Sequence, residues 1–243
     1  MCLAFMCIQA SIVQYVIRIQ LIEGYTAWHA GLLFLPIFIF SKPLSIFTQR
    51  AIHRGYDPRL LVCISFIGFA ISFWWMGEFI RPTTWENLLW PQFIEGAALG
   101  IFLVAMTNVT MSNIPEKEQL HAVDVLNTFR TVAAALAITL SDISWDYYTA
   151  GVHHYLIADQ SGNLDRYIAS FTPLSDYSSQ AMQHFLYSRM AIQSGMITLN
   201  AMFHALAISF VIFAILIWFA SASHIVHKDK KQDRIIESLG EEP

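Results

Sequence analysis

Long apolar tracts separated by short polar segments dominate the chain. There are six of them, and most approach or exceed the roughly 20 residues that an α-helix needs to cross a bilayer core about 30 Å thick. Turn-forming and charged residues interrupt them, as in the segment from His53 to Pro58. Because lipid offers no partner for open backbone groups, continuous tracts of this length predict helices. The predicted spans are 1–19, 28–48, 60–79, 88–112, 120–143 and 196–221.

Composition supports the same fold class. Apolar residues make up 56% of the chain and charged residues only 13%, whereas soluble domains carry roughly a quarter charged residues. The mean hydropathy is +0.48, and the charges cluster between the tracts instead of within them. These features exclude an ordinary soluble domain. They predict an all-α, polytopic membrane protein with six transmembrane helices in one bundle.

Lysine and arginine predict the orientation of the bundle. Alternation of the spans places the loop at 49–59, the loop at 115–119 and the C-terminal tail on one side. The opposite short loops hold only Arg81, so the basic side is predicted to be cytoplasmic, with both ends of the chain there. The basic residues on that side are Arg50, Arg54, Arg59, Lys117, Lys228, Lys230, Lys231 and Arg234.

One segment breaks the regular alternation of spans and short loops. Residues 1–146 hold five predicted spans, 147–194 form a polar outer segment, 195–224 hold the last span and 225–243 form a cytoplasmic tail. Within the outer segment, Met182, Phe185, Leu186 and Met190 have helical spacing. They predict an amphipathic helix at the outer membrane surface. The alternative is a partly ordered linker.

Ionisable side chains inside the predicted spans need a physical reason, because an unpaired charge in lipid costs several kcal/mol. Arg130 lies about ten residues into the fifth span, roughly 15 Å deep. Asn127 and Asp124 precede it at three-residue intervals and predict a polar stripe facing the bundle interior or a wet cavity. This stripe is either the wall of a substrate or coupling pathway or a structural pairing of Arg130 with a carboxylate on another helix.

The fourth and first spans supply further candidates. Glu95 is the expected partner of Arg130, or a proton carrier, or simply a hydrogen-bonded helix contact, and Gln92 lies one turn before it. Arg18, near the outer end of the first span, either snorkels to the interface or joins Gln14 in the pathway. Gly96 and Gly100 predict a close helix contact. The candidate pathway comprises Gln14, Arg18, Gln92, Glu95, Asn127 and Arg130.

The sequence lacks the common motifs of nucleotide-binding proteins, metalloproteases and serine hydrolases. It contains no GxGxxG, GxxxxGK[ST], HExxH or GxSxG motif, and the three cysteines have no metal-ligand spacing. No cofactor, metal or nucleic-acid partner is therefore predicted. Asp142 and Asp146 share a helix face near Ser141, but no histidine is placed to complete an intramembrane catalytic site. The chain is thus expected not to be an enzyme.

Several segments together resemble a known family. The segment 23–36, EGYTAWHAGLLFLP, is similar to the GYSAxxAGLxxLP pattern of major facilitator drug:proton antiporters of the EmrB/QacA type. PQFIEG at 91–96 resembles the family's PQFxQG, and LNTFRT at 126–131 resembles xNxxRxxGG. The basic loop at 57–61 and the proline after the fourth span also match, in the same order. The matched segments correspond to the last six helices of such a transporter.

The resemblance implies proton-coupled export of drugs or other amphipathic small molecules across a bacterial inner membrane. It also implies a missing N-terminal transporter half and a possible periplasmic adaptor protein. Ala133 to Ala135 replace the family's glycines and Glu95 replaces its glutamine, which bears on helix packing and on substrate charge. The chain is expected to be a C-terminal half or a truncated form. The alternative is a non-transporting membrane scaffold or pseudo-transporter subunit.

Overall fold

The computed structural model describes residues 1–79, 83–111, 114–115, 118–160 and 179–219, with the backbone alone at 156–160 and 179–186. This part of the chain is helical and contains no strand. Six helices are long and apolar enough to cross a membrane, so the predicted fold class is confirmed. They are α1 (Cys2–Ile17, continued by a π-helical turn at Arg18–Ile22), α2 (Ala27–His53), α3 (Pro58–Gly77), α4 (Trp85–Met111), α5 (Gln119–Gln160) and α6 (Ser179–Leu216, continued by a 3₁₀ turn at Ile217–Phe219).

The turn between α2 and α3 shows how local sequence sets a helix boundary. Gly55 has a φ of 91°, a left-handed conformation that a side chain would strain. Asp57 then caps α3, because its carboxylate accepts a hydrogen bond from the backbone N–H of Arg59 at 3.0 Å. Pro58 occupies the first helical position, where its missing N–H removes no helical hydrogen bond.

The fifth and sixth helices are longer than the hydrophobic tracts predicted. At 1.5 Å per residue, the 42 residues of α5 span roughly 63 Å, about twice a bilayer core. The polar segment predicted to begin at 147 therefore starts as a continuation of α5, since polar residues can extend a helix once it leaves lipid. Where the two helices pack, Gly195 leaves room for the Trp145 ring: a Cβ added to Gly195 would lie 3.0 Å from that ring.

The rest of that polar segment consists of residues 161–178, which the structure does not describe, and the first part of α6. The predicted amphipathic stripe falls within the first turns of α6; its Met190 is buried, and its other three side chains lie outside the described residues. Residues 161–178 and the tail at 225–243 also lie outside them. The division of the chain into an outer segment, a last span and a tail stays a prediction.

Two interfaces around α4, together with the packing of α1 on α5, organise the bundle. α3 packs against α4 and α6 around buried phenylalanines, and α2 packs along α4, where Gly96 and Gly100 approach Ile37 and Ser41. The close helix contact predicted for these glycines is confirmed. The phenylalanines at the first interface are Phe66, Phe69, Phe73, Phe102, Phe203 and Phe210. The interface of α3 with α4 and α6 is mainly apolar. The buried polar side chains of α4 and α5 lie instead where these helices face α1.

Candidate functional site

Glu95 occupies the centre of the α1–α4 contact. It lies ten residues after Trp85, about 15 Å along α4, and is 4% exposed. Ser11 Oγ lies 3.2 Å from Glu95 Oε1 and 2.7 Å from the carbonyl oxygen of Ile8. The Ser11 hydroxyl has a single proton, so it can donate to only one of these oxygens. Both contacts become hydrogen bonds if Glu95 is protonated and donates to Ser11.

Gln14 and Gln92 surround this contact. Gln14 Nε2 donates to Ser141 Oγ on α5 at 3.5 Å. Gln14 Oε1 and both amide atoms of Gln92 are buried without a well-formed hydrogen bond, although the Gln92 amide lies near the Tyr15 hydroxyl. Buried amides usually find partners. Their excess hydrogen-bonding capacity therefore makes this cluster able to take up water or a polar group from a ligand.

Arg18 lies one turn further along α1 and is fully buried. Its guanidinium donates to the Asn200 side-chain oxygen at 3.0 Å and to the carbonyl oxygen of Phe79 at 2.9 Å. A longer contact of 3.5 Å reaches the carbonyl of Met76. The expectation that Arg18 snorkels to the interface is wrong, because α3 and α6 close over it. Arg18 instead connects the end of α1 to the end of α3 and to the middle of α6.

Glu23 completes the surroundings of Arg18. Its Oε1 lies 3.7 Å from Arg18 Nε, and both side chains are almost fully buried. The backbone N–H of Thr83 donates to Glu23 Oε2 at 2.8 Å. Burial raises the pKa of Glu23 above its ordinary value of 4.5, although the Thr83 hydrogen bond and the Arg18 charge both oppose the rise.

The raised pKa of Glu23 predicts how stability depends on pH. The folded bundle holds the Glu23 proton more tightly than the unfolded chain does, so the Glu23 contribution to stability should fall as pH rises from about 4.5 through the raised pKa. Unfolding free energy measured against pH should show this decline in the native protein. The Glu23→Gln variant cannot titrate there and should show a flatter profile; identical slopes would contradict the prediction.

Arg130 lies at the other end of the α1–α4 contact. Its Nη2 donates to Thr107 Oγ1 at 3.0 Å, and its guanidinium sits 6.0 Å from the centre of the Phe5 ring. Thr107 is twelve residues from Glu95 on α4, about 18 Å along the axis. The expected pairing of Arg130 with Glu95 is therefore wrong: the helix rotations bring together Glu95 with Ser11 and Arg130 with Thr107.

Asp124 and Asn127 are exposed, whereas Arg130 is half-buried against α1 and α4. Positions three apart on a helix are rotated by about 60°, so this stripe winds from the outside of the bundle towards α1. The structure does not gather these residues at one interior wall. Gln14, Gln92 and Glu95 lie near the middle of the contact between α1 and α4, and Arg18 and Arg130 lie towards its opposite ends.

Sequence reasoning missed the partners that complete these groups. Asn200 and Ser141 are polar residues inside apolar tracts, a signal that could have identified both. Ser11 and Thr107 gave no comparable signal, because hydroxyls often bond to their own helix. Glu23 entered the sequence analysis only as the first residue of the segment 23–36 that resembles the family pattern.

Comparisons with known proteins place these features in a family context. The chain is 31% identical over 231 residues to the multidrug export protein EmrB of Haemophilus influenzae, covering 90% of this chain and 43% of that protein. It is 29% identical over 208 residues to the probable multidrug resistance protein EmrY of Escherichia coli, covering 81% and 39%. A third relative is the fatty acid resistance protein FarB of Neisseria gonorrhoeae, 26% identical over 222 residues, with 90% and 43% covered.

No protein-family model matches the chain. The chain spans about two-fifths of the length of the curated relatives it matches. The similarity nevertheless extends over most of this chain, and a further relative is named as an MFS-type transporter. The resemblance inferred from the sequence motifs is confirmed: this chain, whose described residues form six helices long enough to cross a membrane, is related over most of its length to the EmrB-type multidrug export proteins.

Proposed function

We propose that this bundle forms one half of a proton-coupled exporter of drugs or other amphipathic small molecules. The names of its relatives support this class of activity, and transport accounts for polar groups at bilayer depth better than an enzymatic role does. Alternating access requires a second bundle that moves against this one around a central site. A further set of helices, corresponding to the N-terminal half of the relatives, is the proposed partner.

The contact between Glu95 and Ser11 carries the proposal. A buried, ionised carboxylate needs a cation or several donors, yet among the described residues the carboxylates within 4 Å of a basic side chain are those of Glu23, beside Arg18, and Glu78, beside His204. The geometry around Ser11 favours a neutral Glu95. We infer that Glu95 keeps its proton while it contacts Ser11 in this buried position. It releases the proton when water or a cationic substrate reaches Glu95.

An exposed polar stripe on α5 supports the need for a second bundle. Buried positions such as Leu126, Ala133 and Ala137 face the neighbouring helices. On the opposite side are exposed polar residues at helical spacing, which lipid alone would cover poorly. We infer that this side faces the second bundle. The exposed residues are Asp124, Asn127, Thr128, Thr131, Thr139, Asp142 and Asp146.

The proposed location is the bacterial inner membrane, with the basic loops in the cytoplasm. In this orientation α5 and α6 extend beyond the bilayer on the periplasmic side. Tyr147, Tyr148 and Tyr155 are exposed on the extension of α5. This extension is where we would place contact with a periplasmic adaptor.

Dye efflux in cells lacking their main pumps tests the proposal. The chain is expressed alone and together with the DNA immediately upstream of its reading frame. Export by the longer product only, lost when the proton gradient is collapsed, would support a transporter half. If neither product exports while the chain is stable in the membrane, the proposal fails and a scaffold role is favoured.

Glu95→Gln should separate charge recognition from folding. Glutamine keeps the hydrogen-bonding shape and is the residue implied at this position by the family resemblance, but it cannot titrate. In the complete transporter, we expect export of a cationic dye to fall about tenfold, the effect of about 1.4 kcal/mol, while export of a neutral compound continues.

Glu86→Gln provides the matched control, because Glu86 is an exposed acidic residue on the same helix. It should leave export of both compounds unchanged. Unchanged export of the cationic dye by Glu95→Gln, and by a further Arg130→Gln variant, would contradict the assignment of the pathway. An equal loss for both compounds would instead indicate a structural role for Glu95.

A further inference from the structure

A long groove runs between α3 and α6, and its lining residues all belong to these two helices, to Glu78 directly after α3 and to the 3₁₀ turn that continues α6. Its volume is about 1110 Å³ and its lining is almost entirely apolar. On α3 the lining extends from Cys63 to Glu78, about 22 Å along the helix axis. Both helices are long and apolar enough to cross a membrane, so in a bilayer the apolar residues exposed along this groove would be covered by lipid. Its principal lining residues are Ile67, Ile71, Trp74, Ile208, Ile212 and Ile215.

A polar pair marks one end of this groove. His204 Nε2 lies 3.5 Å from Glu78 Oε1, and the two side chains are 29% and 58% exposed. The imidazole packs edge-on against Trp74, with ring centres 4.7 Å apart. It also covers Gly77, where an added Cβ would lie only 2.7 Å from a ring carbon. The missing side chain at Gly77 therefore makes room for His204 in this position.

The hydrogen bond of the other ring nitrogen decides what this pair can bind. His204 Nδ1 lies 2.8 Å from the backbone carbonyl of Asn200. A carbonyl only accepts, so Nδ1 must carry the proton. In the neutral ring, Nε2 is then an acceptor facing the carboxylate of Glu78, which is also an acceptor. Two facing acceptors at this distance call for a donor that can bond to both.

We propose that the groove between α3 and α6 binds a phospholipid with a primary ammonium headgroup. The ammonium donates to Glu78 Oε1 and His204 Nε2, and one acyl chain lies along the isoleucines. One leaflet of the bilayer core is about 15 Å thick, so the groove is long enough for that chain. Tryptophans near both ends, Trp74 and Trp218, match the interfacial depth that aromatic residues prefer.

The chemistry favours phosphatidylethanolamine over the other common lipids. Phosphatidylcholine has a similar shape and charge, but its quaternary ammonium has no N–H to donate. Phosphatidylglycerol brings an anionic headgroup towards Glu78 without a compensating cation. This site lies apart from the cluster around Glu95 and does not depend on the proposed transport activity.

Lipid retention by the full chain, purified in mild detergent and measured by native mass spectrometry, tests the proposal. After exchange with equal amounts of the three lipids, phosphatidylethanolamine should be retained about tenfold over phosphatidylcholine, as one charge-assisted hydrogen bond would give. Glu78→Gln should remove this preference. Glu86→Gln, which alters another exposed carboxylate outside the groove, should keep it.

Two further readouts keep the proposal open to refutation. Val211→Trp fills the groove and should lower retention of phosphatidylethanolamine, while circular dichroism checks that the helices are intact. Nitrogen NMR of His204 should show a neutral ring with Nδ1 protonated in the lipid-bound chain. Equal retention of the two zwitterionic lipids, a doubly protonated His204, or a dimer that Val211→Trp dissociates would each overturn the proposal.

Discussion

Replacing Arg18 with methionine should destabilise the bundle more than any other single change at its polar sites. Methionine preserves much of the apolar stem but removes every donor. The buried carboxylate of Glu23 and the Asn200 side-chain oxygen would lose a charged partner. Removing one member of a buried ion pair costs about 3–5 kcal/mol. Equilibrium unfolding in mixed detergent micelles, followed by tryptophan fluorescence, should show a loss of that order.

Three further variants identify the cause of that loss. Arg18→Lys keeps the charge but not the two-pronged geometry, so its effect should be intermediate. Combining Arg18→Met with Glu23→Gln removes the orphaned carboxylate and should restore part of the stability. Lys42→Met, at an exposed basic position on α2, should change it by no more than about 0.5 kcal/mol. An Arg18→Met variant as stable as Lys42→Met would contradict the role of this pair.

The six spans could be predicted from sequence because membrane insertion is governed by local hydropathy. A tract long enough to cross the lipid core must form a helix, whatever its neighbours are. The close approach at Gly96 and Gly100 was predictable for a similar reason, since two small residues one turn apart leave a gap that another helix can fill. The ends of α5 and α6 could not be predicted in this way. Hydropathy changes where a helix leaves the lipid, but the helical hydrogen bonding can continue beyond that point.

The partners of the buried polar residues depend on how the helices are rotated about their axes. Hydropathy leaves this rotation undetermined. Arg18 bonds to Asn200, 182 positions away in sequence, and it does so from a π-helical turn that widens the end of α1. Such turns often occur at functional sites. The depth of Arg130 and Glu95 suggested a pair, but the helix contacts separate them by about 18 Å along α4.

The second large effect is expected at Gly100, where α2 and α4 touch. A Cβ at this position would overlap the backbone carbonyl of Ser41, and one at Gly96 would lie 2.6 Å from Ile37 Cα. The opposing atoms belong to helix backbone and cannot rotate away. Gly100→Val should therefore force the helices apart, and the overpacking should cost about 1–3 kcal/mol or more. The same unfolding measurement would detect it.

Two other glycines supply a graded control for this prediction. Gly31, also within a membrane helix, has no atom within 4 Å of an added Cβ, and Gly68 has Ala98 Cβ at 3.1 Å. Gly31→Ala should be neutral or slightly stabilising, because alanine favours helices, and Gly68→Ala should be mildly destabilising. A Gly100→Val variant as stable as Gly31→Ala or Gly68→Ala would mean that the contact at Gly100 does not limit the packing of α2 on α4. Since α4 also carries Glu95, Gly100→Val should disturb the Ser11 contact as well, so a loss of export in that variant would follow from the shift of α4.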